Sequence, residues 1–162
     1  MWEKLVVLLT ETLKAYQALL EMSRKKHELL VKVKPQELDK ITQQEEVIIL
    51  HAGKVDAARE AVVKELAGLY GIAGDAITFV ALKEHADEST RKELAELAEE
   101  LEKVLEQLAP LNKLNVELIQ QSLQYIDFNI NILAQNSTSP TYAPKGQNNQ
   151  PTQKRVIFDA KV

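Results

Sequence analysis

Residues 88–135 read ESTRKELAELAEELEKVLEQLAPLNKLNVELIQQSLQYIDFNINILAQ, and their periodicity decides the fold. Leu94, Leu97, Leu101, Val104, Leu108 and Leu111 recur at three and four residues, the narrow apolar seam of a coiled coil. Glu93, Glu96, Glu99, Glu100, Glu102 and Glu106 cover the outside. Pro110 interrupts the pattern. Inside a helix it removes one hydrogen bond and kinks the axis. Composition changes there from Glu and Leu to Asn, Gln and Ile, so Pro110 reads as a hinge between a packing half and a binding half.

After Pro110 the helix carries two apolar stripes at about 100° per residue. One holds Leu111, Leu114, Leu118, Tyr125, Phe128 and Ile132; the other holds Val116, Ile119, Leu123, Ile126, Ile130 and Leu133. Asn115, Ser122 and Asn129 run between them at seven-residue spacing. The apolar arc is on the order of 240°, against roughly 100° for an ordinary core-facing helix. Such a helix is either central to a bundle or keeps one face for another protein. The polar residues favour the second reading. In a static core each costs free energy unless it finds a partner, whereas water satisfies it at an interface formed part of the time. One stripe is therefore expected to close the protein's own core. The other, with Ile119, Leu123, Ile126, Ile130 and Leu133, is expected to bind a partner together with Leu118 of the first.

Working outward, residues 1–33 are predicted as a first helix with Trp2, Leu5, Leu9, Leu13, Tyr16, Leu20 and Leu30 on or near one face. Lys34-Pro35 ends it, because the residue before proline is pushed out of the α region. Pro35 then suits the first turn of a second helix over residues 36–70. Its seam is Leu38, Ile41, Ile48, Ala52, Val55, Val62, Leu66 and Leu69, with Glu45 and Arg59 at the two skipped positions. Two helices of similar length and a short connection imply a long antiparallel hairpin. Gly71 and Gly74 mark a break. A short helix over residues 75–85, capped by Asp75, is expected to seal one end of the bundle with Ile77, Phe79, Val80 and Leu82. Asp87 or Ser89 caps the long last helix, residues 88–135. The fold expected is all-α: an elongated antiparallel helical bundle over residues 1–135 with a kink near Pro110. Residues 136–162 hold three of the five prolines and almost no apolar residues before Val156, and are predicted to be a disordered tail.

Composition narrows the function. The 162 residues suit one domain, and 45% apolar with 27% charged is ordinary for a globular protein. With no cysteine there is no disulfide framework and no thiolate metal site. The net charge of −4 is uneven. After Asn136 stand Lys145, Lys154, Arg155 and Lys161 against Asp159, or +3, which leaves −7 for the body. An acidic body lacks the basic face that nucleic acid requires. The tail is too weakly basic to hold a membrane unaided. The apolar run Leu5–Leu9 is short for a signal peptide, and no window suits a transmembrane helix.

Catalytic chemistry finds no residues. A di-iron bundle needs Glu-x-x-His, but Arg24, Ile48 and Leu82 stand three before His27, His51 and His85. The acidic residues of the last helix recur with the helical period, as a solvated face with Glu99–Lys103 pairs does. No phosphate loop, nucleophile elbow or zinc motif is present. No enzyme activity, metal or cofactor is expected.

The run NKLNVELIQQSLQYIDFNINIL (residues 112–133) followed by SPTYAPKGQ (residues 139–147) resembles the flagellar export chaperones of the FlgN type. The resemblance rests on Asn112 and Asn115 at the start, on Gln121, Ser122, Leu123 and Tyr125, and on Pro140, Tyr142 and Gly146 in the tail. It implies an all-helical, cytoplasmic bacterial protein that escorts hook-associated, hook–filament junction proteins to the type III export gate. It implies that the C-terminal helix binds an amphipathic segment of that cargo and that Tyr142 docks on the gate. Here Pro144 falls between Tyr142 and Gly146, a departure that leaves the docking turn open. The alternative is a non-catalytic helical adaptor that dimerises through the same helix.

Overall fold

The computed structural model describes residues 1–136. These form helices α1 (Trp2–Val31), α2 (Pro35–Leu69), α3 (Phe79–Lys83) and α4 (Glu88–Asn136), with a 3₁₀ turn at Gly74–Ala76. The fold is all-α, with no strand among the described residues. The chain divides into two units, Met1–Tyr125 and a second that begins at Ile126.

In the first unit the helix directions follow from which residues share a core. One cluster joins Leu5 and Leu9 of α1, Val62, Leu66 and Ala67 of α2, and Leu94 of α4. The other joins Leu13, Leu19 and Leu20 of α1 to Val104 and Leu108 of α4, with Ile48 of α2 packed against it. Rising numbers in α1 thus meet falling numbers in α2 and rising numbers in α4. The hairpin is antiparallel, and α4 lies parallel to α1. The coiled-coil seam read from Leu94 to Leu108 is the core-facing side of α4. Glu45, a skipped position of the α2 seam, forms a half-buried ion pair with Lys26 of α1.

Two helices end in the same hydrogen-bond pattern. After α1, Lys34 N–H donates to Leu29 and Val33 N–H to Leu30. After α2, Ile72 N–H donates to Ala67 and Gly71 N–H to Gly68. This is the Schellman motif, which needs one residue in the left-handed region. Gly71 takes it at φ 67°; at α1 it falls to Val33, φ 53°. A β-branched residue there is strained by its own Cβ.

Between α2 and α4 the structure differs from the single helix expected over residues 75–85. Gly74 at φ 59° turns the chain, and α3 begins only after Thr78, whose hydroxyl accepts from Ala81 N–H at 3.1 Å. Leu82 is buried and Ile77 packs beside it, but Phe79 and Val80 are exposed. Leu69, placed on the α2 seam by spacing, is also exposed, because the buried Ala67 faces the core there instead. Asp87 is the cap of α4 and accepts from Thr90 N–H at 3.0 Å. At this end Trp2 Nε1 donates to Tyr70 Oη at 3.3 Å, and the Tyr70 ring stacks on His85 with centroids 4.5 Å apart.

Candidate partner-binding helix

α4 is one helix through Pro110. Its two core-facing rows keep their seven-residue phase across the proline. One row is Leu94, Leu101, Leu108, Asn115 and Ser122; the other is Leu97, Val104, Leu111, Leu118 and Tyr125. The polar residues are thus the continuation of the row that packs on α1, not a border between two faces.

Asn115 shows this directly, being only 2% exposed. Its Nδ2 donates to Ser23 O at 2.9 Å and to Ser23 Oγ at 3.1 Å. Ser23 Oγ in turn donates to Asn112 Oδ1 at 2.7 Å. His27 Nδ1 lies 3.0 Å from Asn115 Oδ1, which fits the tautomer protonated at Nδ1. Arg24 adds a bond to Gln107 Oε1 at 2.8 Å. Every polar atom of Asn115 has a partner, so the expected objection to an asparagine in a packed core does not apply. Asn115 therefore belongs to the packed α1–α4 interface and not to one formed part of the time, contrary to the expectation from its polarity.

The packed part of α4 therefore extends past Pro110. Leu111 packs on the second core cluster, and Asn112 and Asn115 bond to α1. The Ser23–Asn112 and His27–Asn115 pairs are 89 and 88 residues apart. With the Ser23–Asn115 pair, 92 apart, these offsets put Val31, the last residue of α1, level with residues 119–123. The packing of α4 on α1 runs out with α1, not at Pro110.

Leu114 and Val116, one from each stripe, are already exposed before that level. Leu118 and Ile119 are half-buried. Leu123 is 56% and Tyr125 69% exposed. In the second unit Ile126, Phe128, Ile130, Ile132 and Leu133 are all exposed. Tyr125, Phe128 and Ile132 were expected to close the core while Leu123, Ile126, Ile130 and Leu133 faced out; all seven are exposed. Of the first stripe only Leu111 and, in part, Leu118 are covered; Leu114, also expected to close the core, is exposed. Leu123 of the first unit and the large apolar residues of α4 in the second unit are exposed in both stripes. Ser122 Oγ donates to Leu118 O at 2.8 Å, within its own helix.

The other candidate groups take structural positions. His27 serves Asn115, and His85 stacks on Tyr70. His51 lines a shallow groove between α1 and α2 with Glu11, Lys14, Ala15 and Val47. Among the described residues no cluster of His, Asp and Glu is arranged to hold a metal ion. No described helix is long and apolar enough to cross a membrane. Tyr142 and the tail predicted to be disordered lie outside the described residues.

Sequence reasoning missed the Ser23–Asn112–Asn115–His27 network. The signal was available: Asn115 stands seven residues after Leu108, in the phase of the seam.

The family model described as FlgN protein matches residues 1–150 of this chain. No curated protein and no solved structure matches it.

Proposed function

We propose, from the premise that the chain belongs to the FlgN family of flagellar export chaperones, that the end of α4 is its cargo-binding surface. In this reading the protein works in the bacterial cytoplasm and has no catalytic role. It binds the amphipathic C-terminal helical region of hook-associated proteins, keeps them from assembling early and delivers them to the export gate.

The observation that carries this is the exposure of large apolar side chains along the C-terminal part of α4. Leu118 and Ile119 belong to the first unit and are half-buried; Leu123 is exposed. Ile126, Ile130 and Leu133 of the second unit are exposed as well. A run of apolar residues open to water on a helix is the receiving half of helix-in-groove recognition. Burying one leucine or isoleucine side chain contributes about 2 kcal/mol, so several anchors buried together are needed to offset the cost of association. Tyr142 serves as the gate contact, a role drawn from the family likeness of Pro140, Tyr142 and Gly146.

Co-purification with hook-associated proteins tests the surface. Leu123→Asp combined with Ile126→Asp is expected to abolish binding while the circular dichroism melt stays unchanged. Undiminished binding would remove α4 from the site. The second reading, an adaptor that dimerises through α4, is favoured by the same exposed side chains. Mass in solution separates the two: a one-to-one complex with cargo supports the chaperone, and a stable dimer that excludes cargo supports the adaptor.

A further inference from the structure

We propose that Val156, Ile157 and Phe158 dock on the exposed apolar face of α4 in the second unit and cover it until cargo takes their place. The contact follows from that face and from the sequence after it; its role as a mask rests on the reading of α4 as the cargo surface.

Ile126, Phe128, Ile130, Ile132 and Leu133 are 41–68% exposed. Large apolar side chains so close together on one helix make a surface that invites cover. The chain that leaves this helix is the nearest candidate. Val156 stands twenty positions after Asn136, and a coil of that length spans about 25 Å on average. Leu133 is within one turn of Asn136, and Ile126 lies about 15 Å back along the helix. The face is thus in reach of the segment, and a tether matched to its span sets an effective concentration on the order of millimolar. A contact too weak to form between separate molecules in dilute solution is closed within one chain. A second copy competes poorly with it.

The sequence of the segment fits the face. Among residues 137–162, Val156-Ile157-Phe158 is the one run of large apolar residues. Lys154 and Arg155 stand immediately before it, and Asp127 is the only charged residue of α4 after Glu117. Docked between Ile126 and Leu133, the apolar run brings its two cations to the neighbourhood of Asp127. Exposed charge pairs are weak and screened by salt, so they orient the segment while the apolar side chains hold it. Cargo then meets a surface already occupied. Its apparent affinity falls in proportion to the fraction of molecules whose face is open, and the free chaperone is kept from associating through the same face.

The chain has no cysteine, so Ala160→Cys takes a single nitroxide label beside the segment. In the full chain this label is expected to broaden the methyl signals of Ile126, Ile130 and Leu133 at every protein concentration. Val156→Ser with Ile157→Ser and Phe158→Ser should remove that broadening. The same variant should bind synthetic C-terminal peptides of the hook-associated proteins roughly threefold to tenfold tighter in calorimetric titration. These substitutions lie beyond Asn136, the end of α4, and the melting temperature is expected to stay unchanged. Equal broadening with and without the three serines would mean a tether that passes the face without docking, and would overturn the proposal. Broadening that arises between separate nitroxide-labelled and isotope-labelled chains in a mixture, and not within one chain, would assign the face to a second copy instead. If the serines remove the broadening yet cargo peptides bind both forms equally and leave the contact in place, the tail contact stands and the reading of α4 as the cargo surface fails.

Discussion

Val33 holds a backbone conformation that suits glycine, at the turn that joins α1 to α2. Its side chain is exposed and makes no compensating core contact. Val33→Gly is therefore expected to raise stability by about 1 kcal/mol, read from chemical denaturation. Asn115 is the opposite case, a residue whose loss is costly. Asn115→Ala leaves Ser23 and His27 without their shared partner, and a loss of about 2 kcal/mol is expected in the same measurement. Asp87 makes the stability of α4 depend on pH. The Thr90 backbone N–H and hydroxyl hold its carboxylate below the ordinary aspartate range. A lowered folded-state pKa means that the cap contributes fully above the ordinary aspartate value, about 4, and is lost as pH falls through the lower value in the fold. Melting temperature followed from pH 7 downward should therefore drop less steeply in Asp87→Asn than in the wild type, with the difference confined to the acid end.

Among the elements, α4 divides by what lies beside it. Leu94 is fully buried between α1 and α2. Leu94→Ala should cost about 3 kcal/mol in denaturant unfolding, whereas Leu123→Asp should cost almost nothing and act on binding alone. The sequence made most of this legible. Three- and four-residue spacing placed α1, α2 and the Leu94–Leu108 seam, because amphipathic helices announce their buried side. Lys34-Pro35 and Gly71 announced the ends of α1 and α2. It did not show where α4 stops being covered. Within the first unit the side chains that α4 packs on near Pro110 come from α1, which ends at Val31. Composition suggested Pro110 as the boundary, yet Leu111, Asn112 and Asn115 pack on α1 beyond it. The phase of Asn115 was present in the text of the chain, but a buried asparagine is betrayed only by its partners, and Ser23 and His27 sit some 90 residues away. The short helix before α4 failed for a local reason: Gly74 and Thr78 between them delay its start.

For the molecule as a whole, membership of the FlgN family makes it a flagellar export chaperone, and its two working contacts are proposed to be separable. Tyr142→Ala is expected to leave the titration with cargo peptides unchanged and to abolish capture of the chaperone–cargo complex by export-gate components. Loss of both together would mean that Tyr142 belongs to the cargo surface. The body carries −7 and the tail +3, so either contact made through charge should weaken as salt rises above physiological strength, while the apolar contact of α4 should hold or strengthen.

Trp2, the one tryptophan of the chain, sits against Tyr70 with ring centroids 6.1 Å apart. It packs with the first core cluster and takes no part in the exposed run of α4. The molecule thus carries its own optical gauge of bundle integrity. Indole emission will shift to the red when the hairpin opens. In a cargo titration it should stay still, which separates true docking from unfolding in a single cuvette.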